Sequence, residues 1–361
     1  MLLTTQKYRD ETEISPAPAR GAESAPLLAV ENLSVSFLRY ASGWQRRKLT
    51  VITDLSLDVR RGEILAAVGA SGAGKSLLAH ALLGMLPSNA VVTGTVRFAG
   101  EKLTPERLAN LRGRDITLVP QSVNFLNPLM RVGAQVRAGV RGGDRVSAQR
   151  QAFARYRLPQ WAERLFPFEL SGGMARRILI AAATVTGVRL IIADEPTPGL
   201  DSGAVRETLG HLRELADEGR SVMLITHDLQ AVVGIADRIA VFYAGTVVEV
   251  APVLDFAGTG DTLRHPYSKA LWRALPQNGF MVTPGSQPQP DSLPPGCLFA
   301  PRCLLVTPTC QAIRPAITSL SGLKRTHTAI GYPHVPGHTA CNAEIARRDG
   351  EVLVCLLKDE E

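Results

Sequence analysis

The sequence predicts an α/β fold with a mostly parallel sheet, and three observations support that prediction. Short apolar runs of strand length recur at 64–68, 116–119, 189–193, 222–226 and 238–243. Segments of helix-forming composition separate them, which is the alternation that produces parallel sheets. The first run leads directly into a glycine-rich loop that is followed by a helix-forming segment, as happens at the carboxyl edge of such sheets.

The glycine-rich loop at 69–76 reads GASGAGKS, which in this context predicts a nucleotide-binding P-loop. Its glycines let the backbone turn tightly and direct N–H groups toward phosphates. Lys75 is expected to reach the β- and γ-phosphates, and Ser76 to ligate Mg²⁺. The loop residues predicted to contact ATP are Gly69, Ser71, Gly72, Gly74, Lys75, Ser76 and Leu77.

Composition limits the class of protein. At 361 residues and 45% hydrophobic content, the chain is long enough for two domains. Residues 1–26 lack the apolar segment of a signal peptide, so we expect a disordered tail. No apolar stretch approaches the roughly 20 residues that cross a bilayer, which favours a cytosolic chain.

The net charge of +7 allows nucleic acid or an anionic membrane as a partner. Lys and Arg look dispersed, however, and we interpret the densest cluster, 46–48, as a solvated loop. Five cysteines in a cytosolic chain favour metal binding or free thiols over disulfides.

Two carboxylates, Asp194 and Glu195, end the apolar run 190–193. Asp194 would contact Mg²⁺, and Glu195 could accept the proton of an attacking water. An acidic pair after a strand can also serve only as a helix cap. The P-loop upstream favours the catalytic interpretation.

The turn LSGGM at 170–174 precedes a helix-forming segment and can present N–H groups to a phosphate. In order along the chain, GASGAGKS, Gln121, LSGGM, IIADEP and ITHD closely resemble the ATP-binding cassette (ABC) family of ATPases. Alternating apolar and polar positions at 27–62 and 91–100 predict an antiparallel β subdomain beside the P-loop core, and helix-like stretches predict a helical signature subdomain at about 122–182. We place the nucleotide-binding domain at 27–255 and a C-terminal extension at 256–361.

The resemblance implies roles at matching positions. Gln121 would sense Mg²⁺ and the transmembrane partner, and His227 would position the γ-phosphate. The implied catalytic set is Lys75, Gln121, Glu195 and His227, and the implied Mg²⁺ set is Ser76, Gln121 and Asp194. Ser171, Gly172 and Gly173 match signature residues that close over ATP held by the opposite subunit, and Asp201 matches the D-loop aspartate.

We expect Phe37 to stack on adenine, with Tyr40 as the second choice; Trp44 follows shortly after in the sequence. Any of the three could instead be a core or surface aromatic residue. The segment before Asp201 reads Pro-Gly-Leu and departs from the Thr/Ser-Ala-Leu that is usual in the family.

A Pro- and Gly-rich linker at 276–296 leads to a cysteine-rich tail. Four thiolates there could bind zinc or an iron-sulfur cluster, or the thiols could simply be buried. The motif HPYSKAL at 265–271 and the residues around the cysteines resemble the C-terminal region of oligopeptide/dipeptide importer ATPases. That resemblance implies a 4Fe-4S cluster on Cys297, Cys303, Cys310 and Cys341.

The sequence therefore predicts the ATP-hydrolysing subunit of a di- or oligopeptide importer at the cytoplasmic face of the membrane. The implied partners are a second cassette subunit, two permeases and an extracellular binding protein, without nucleic acid. Import of nickel or a metal chelate stays open, because QSVNF at 121–125 departs from the Gln-Asp-Pro of peptide importers. Two further functions stay open as well, namely a soluble ABC ATPase acting on DNA or ribosomes and a subunit that binds ATP without hydrolysing it.

Overall fold

The strands of the chain sort into two sheets. The computed structural model describes residues 25–42, 45–319 and 353–356. Their strands are β1 (Leu28–Ser42), β2 (Gln45–Val59), β3 (Ile64–Gly69), β4 (Ala90–Phe98), β5 (Glu101–Lys102), β6 (Ile116–Val119), β7 (Leu190–Asp194), β8 (Ser221–Thr226), β9 (Arg238–Tyr243), β10 (Thr246–Pro252), β11 (Ala316–Ser319) and β12 (Leu353–Leu356).

Helices connect and cover these strands. They are α1 (Lys75–Leu82), α2 (Pro105–Leu111), α3 (Val132–Gly139), α4 (Arg145–Arg155), α5 (Gly172–Thr184), α6 (Ser202–Asp217), α7 (Leu229–Val233), α8 (Leu254–Ala257), α9 (Pro266–Arg273) and α10 (Pro308–Ala312). No helix in the described part of the chain combines the length and the apolar character that a bilayer crossing requires.

The larger sheet has the order β11-β12-β10-β9-β3-β8-β7-β6. Strands β9, β3, β8, β7 and β6 run parallel, and the others pair antiparallel. Alternate residues of β3 join different apolar cores, because Ile64 packs with α5 and α6 whereas Leu65 packs with α1 and the smaller sheet. Burial on both faces explains why these strands read as continuous apolar runs. The predicted α/β fold is confirmed.

The smaller sheet is antiparallel, with the order β2-β1-β4-β5. Its first hairpin is long and includes the basic cluster that the sequence placed in a loop. Arg46 pairs with Tyr40, Arg47 with Arg39 and Lys48 with Leu38, so that interpretation was wrong. Pairing with β1 extends the strand, while Arg47 and Lys48 stay exposed.

Most of the net positive charge of the chain lies between β6 and β7. Residues 131–164 contain eight arginines and only two acids, Asp144 and Glu163, which makes +6 of the total of +7. The other 32 of the 40 Lys and Arg residues are spread along the rest of the chain, where 31 acidic residues nearly balance them. α3 and α4 lie within residues 131–164, so the net charge belongs to the helical part of the molecule.

The beginning of the C-terminal extension is anchored to the larger sheet through Glu249. This fully buried carboxylate of β10 accepts hydrogen bonds from the backbone N–H groups of Arg264 and His265, at 2.9 and 3.0 Å. His265 caps α9, since its Nδ1 accepts from the N–H of Tyr267 at 3.1 Å. Farther along, Phe299 packs edge-on against Tyr243 of β9. The predicted N-terminal tail lies almost wholly outside the described residues.

The cap of α9 should make stability sensitive to acid. Burial lowers the pKa of His265 to about 4. The folded state therefore resists protonation, and the stability that neutral His265 contributes is present above pH 6.5 and lost as the pH falls toward 4. We expect His265→Asn, which retains a capping acceptor, to gain roughly 2 kcal/mol relative to wild type between pH 7.5 and pH 5. Urea unfolding of both proteins at the two pH values measures this difference.

Glu249 titrates in the opposite sense. Burial raises its pKa to about 6, so its contribution is present below pH 4.5 and lost as the pH rises through 6. Because both proteins contain Glu249, the comparison isolates His265. Parallel stability profiles of the two proteins would contradict the assignment.

Candidate nucleotide site

The P-loop joins β3 to α1 at the carboxyl edge of the larger sheet. Gly72 and Gly74 have φ of 78° and 96°, in the left-handed region that favours glycine. Lys75 begins α1, and its Nζ donates to the carbonyls of Gly69 at 2.7 Å and Ala70 at 2.9 Å. Burial lowers the pKa of Lys75, although the nearby carboxylates oppose that shift. A desolvated ammonium whose hydrogen bonds within the described chain go to neutral carbonyls is well suited to a phosphate.

Ser76 meets the first of the two predicted carboxylates. Its Oγ donates to Oδ1 of Asp194 at 3.0 Å, across the strand end of β7. Burial raises the pKa of Asp194, and the hydrogen bond from Ser76 opposes that shift. A hydroxyl and a carboxylate side by side are the hard oxygen ligands that Mg²⁺ prefers, so these residues fit the ion.

Glu195 lies between two other predicted residues. Its Oε2 accepts from Nε2 of Gln121 at 3.1 Å, and its Oε1 lies 3.1 Å from Nδ1 of His227. Its φ of 42° is in the left-handed region, and its N–H donates to the carbonyl of Ile225 at 2.8 Å. The ends of β6, β7 and β8 thus bring three side chains together, with the carboxylate largely shielded from solvent. The arrangement suits a general base held by two polar neighbours.

The predicted signature and D-loop residues lie elsewhere. Ser171 caps α5, with its Oγ accepting from the N–H of Met174 at 3.3 Å, and Gly172 and Gly173 start that helix. Asp201 caps α6, and the hydrogen bonds that its carboxylate accepts from backbone N–H groups lower its pKa. Within the described chain, no hydrogen bond or ion pair joins Ser171 or Asp201 to the P-loop.

The remaining residues predicted to contact ATP are Ser71, Leu77 and the aromatic residue that stacks on adenine. Ser71 is exposed at the tip of the P-loop, and Leu77 packs partly into the core beneath the smaller sheet. Phe37 is half-buried and packs against the same core. The side chain of Tyr40 and all of Trp44 lie outside the described residues, so the residue that stacks on adenine stays a prediction.

Arg176 adjoins the site and was missed by sequence reasoning. It is buried in α5, and its Nη1 donates to the carbonyls of Pro120 and Gln121 at 3.0 and 2.6 Å. The only available signal was an arginine in the helix-forming segment that follows LSGGM.

Three of the four predicted cluster cysteines lie near one another, and Cys341 lies outside the described residues. The N–H of Cys297 donates to the carbonyl of Cys310 at 2.7 Å. Burial raises the pKa of Cys297 and Cys303, and the neighbouring thiols add to that shift. Across residues 25–42, 45–319 and 353–356, no group of three His, Cys, Asp or Glu side chains is placed to hold a metal ion.

Two family models match the chain. The model described as ABC transporter covers residues 52–198, which include the P-loop, Gln121, the signature turn and both carboxylates. The model described as oligopeptide/dipeptide transporter, C-terminal region, covers residues 248–310, which include Glu249, His265 and three cysteines.

Similar proteins cover most of the chain. An ATP-binding protein of Brucella melitensis, provisionally named for peptide import, is 38% identical over 83% of this chain and 93% of its own. The oligopeptide transport ATP-binding protein OppD of Haemophilus influenzae is 35% identical over 82% and 94%. The dimeric ATP-binding cassette MJ0796, bound to ADP and phosphate, superposes with a TM-score of 0.55 and 25% identity, covering 63% of this chain and 98% of its own. The chain is therefore an ATPase that belongs to the ABC transporter family and carries the oligopeptide/dipeptide transporter C-terminal region.

Proposed function

We propose that this chain is the ATP-hydrolysing subunit of an importer of di- and oligopeptides. The C-terminal region carries the proposal, because it matches the oligopeptide/dipeptide model and packs against the same sheet as the nucleotide site. The names of relatives 35–38% identical to this chain support the same substrate class.

Each residue of the nucleotide site would have a distinct role in binding or hydrolysis of ATP. Lys75 would bind the β- and γ-phosphates, and Ser76, Gln121 and Asp194 would hold Mg²⁺, which would neutralise charge on the phosphates. Glu195 would accept the proton of the attacking water, and His227 would position the γ-phosphate. The 3.1 Å contacts of Glu195 with both Gln121 and His227 support this division.

A second cassette subunit would complete each site. Ser171 and Asp201 are exposed at the N-termini of α5 and α6, with their caps already formed. Helix N-termini attract phosphates, so these residues suit ATP held by a partner. The dimeric state of the similar cassette MJ0796 supports the same arrangement.

Two permeases would dock on the segment that follows Gln121. Phe125, Leu129 and Met130 expose 58%, 85% and 38% of their surface there. The arginine-rich segment 131–164 begins directly after them. Apolar anchors beside a basic surface favour a permease segment that is apolar at its centre and acidic at its margin. The chain would then lie peripherally at the cytoplasmic face, with the extracellular binding protein delivering the peptide.

Reconstitution tests the proposal. The chain is assembled with its partner cassette, both permeases and the binding protein in proteoliposomes. Uptake of di- or oligopeptides that depends on ATP, together with stimulation of ATP hydrolysis by them, is expected. Stimulation by nickel or a metal chelate alone would replace the peptide assignment, and failure to co-purify with permeases while binding nucleic acid would overturn the importer assignment.

We also propose a 4Fe-4S cluster on Cys297, Cys303, Cys310 and Cys341, with zinc as the alternative metal. Two sulfur atoms already accept hydrogen bonds, from the N–H of Leu305 to Cys303 at 3.4 Å and from the hydroxyl of Thr307 to Cys310 at 3.1 Å. Such bonds are typical around cluster thiolates. Burial of the thiols disfavours free thiolates, which a metal would stabilise. The cluster would act as a structural staple.

Metal analysis distinguishes the cluster from zinc. Anaerobically purified protein should contain about four iron and four labile sulfide per chain. Cys310→Ser should lose both, whereas Cys355→Ser, which alters the cysteine outside the proposed set, should retain them. Iron and sulfide near zero would reject the cluster, and one zinc per chain would favour a zinc site.

A further inference from the structure

Arg176 is a buried arginine of α5. It is 4% exposed, and within the described chain no carboxylate lies within ion-pair distance of its guanidinium. Among the described residues its Nε has no hydrogen-bond partner, and burial lowers the pKa of the group with no charge there to oppose the shift. A desolvated cation is costly to keep, and hydrophobic residues of similar size often replace buried charges without loss of stability. Arg176 therefore calls for an explanation beyond packing.

Both hydrogen bonds of Arg176 go to one short stretch of backbone. The carbonyls of Pro120 and Gln121 that it contacts lie just beyond the end of β6. β6 is the last strand at its side of the larger sheet as described. These carbonyls lie past the strand ladder, and Arg176 supplies their hydrogen bonds. A single side chain thus ties α5 to the point where the chain leaves the sheet.

The same stretch of backbone carries a side chain of the nucleotide site. Nε2 of Gln121 donates to Oε2 of Glu195 at 3.1 Å. The contacts therefore run from α5, through Arg176 and the backbone of Gln121, to the predicted water-activating carboxylate. α5 begins in the signature turn, with Ser171 as its cap five residues before Arg176.

We propose that Arg176 is a positioning residue for ATP hydrolysis. By holding the carbonyls of Pro120 and Gln121 against α5, it sets the amide of Gln121 against Glu195. A shift of α5 then moves the amide of Gln121 in the same chain. This coupling does not involve the P-loop. Arg176 itself contacts neither the P-loop nor Glu195, so its effect requires Gln121.

Kinetics of the full chain, purified in its transporter complex, test the proposal. Arg176→Met removes both hydrogen bonds and should lower kcat about tenfold, because small displacements of positioned groups are costly in rate. KM and Kd for ATP should stay within about twofold, since Lys75 and Ser76 are untouched. Arg176→Lys, which keeps a donor, should fall between wild type and Arg176→Met. Unchanged kcat, or a loss confined to ATP affinity, would overturn the proposal.

Arg177 supplies a matched control. This neighbouring arginine donates to the carbonyls of Gly173 and Arg157, both within the helical part, and not to the segment around Gln121. Arg177→Gln should leave kcat within about twofold of wild type. An equal loss of kcat in Arg177→Gln would overturn the proposal, because any disturbance of α5 would then lower the rate.

A double-mutant cycle separates positioning from a structural role. If Arg176 acts through Gln121, Arg176→Met should cause no further loss in a Gln121→Ala background. Losses that multiply would overturn the proposal. Should Arg176→Met fail to fold, judged by circular dichroism and thermal unfolding, the same cycle is run with Arg176→Lys.

Discussion

Glu195→Gln should lower kcat for ATP hydrolysis by at least about 100-fold, because the amide cannot accept the proton of the attacking water. The amide can still contact Gln121 and His227, which lie 3.1 Å from the carboxylate oxygens. Binding of ATP should therefore stay within about threefold of wild type. Single-turnover hydrolysis and the affinity of a fluorescent ATP analogue measure the two quantities. The variant should also accumulate ATP-bound dimers, visible by size-exclusion chromatography.

Asp144→Asn provides a comparison that keeps a helix cap while removing a carboxylate from α4. It should affect hydrolysis far less, because Asp144 contacts none of the residues around Glu195 in the described chain. Near-normal turnover by Glu195→Gln in the assembled transporter would contradict the role of Glu195 as base.

Lys75→Met should weaken ATP binding by about 100-fold or more, because the phosphates lose a cation held in a buried site. Lys75 is 5% exposed, and burial lowers its pKa. Replacing a desolvated ammonium by an apolar chain of similar length should leave thermal stability unchanged or slightly higher. Isothermal titration with Mg-ATP and thermal unfolding of the nucleotide-free protein test both parts.

Lys102→Met is the matched control, since Lys102 is an exposed lysine of β5, away from the P-loop. It should bind ATP as wild type does. If Lys75→Met keeps the affinity of wild type for ATP, Lys75 does not bind the phosphates. A marked loss of thermal stability would mean that the hydrogen bonds of Lys75 to Gly69 and Ala70 contribute more than its desolvation costs.

Two features of the basic residues differ in how far the sequence alone reveals them. The eight arginines of residues 131–164 are visible in the sequence, but they follow no regular spacing, and the 40 Lys and Arg residues as a whole are spread along the chain. The strand character of 46–48 was hidden, since it depends on pairing with β1. Local composition alone favoured a loop there.

The sequence by itself determined the α/β fold, the P-loop and the strand-terminal carboxylates, because each is encoded in contiguous residues with a strong local pattern. Only the tertiary structure decided that Gln121 and His227 both contact Glu195, that Glu249 anchors α9, and that Arg176 ties α5 to the end of β6. These contacts join residues far apart in the chain. They depend on how strands and helices pack, which short-range patterns of apolar and polar residues do not specify.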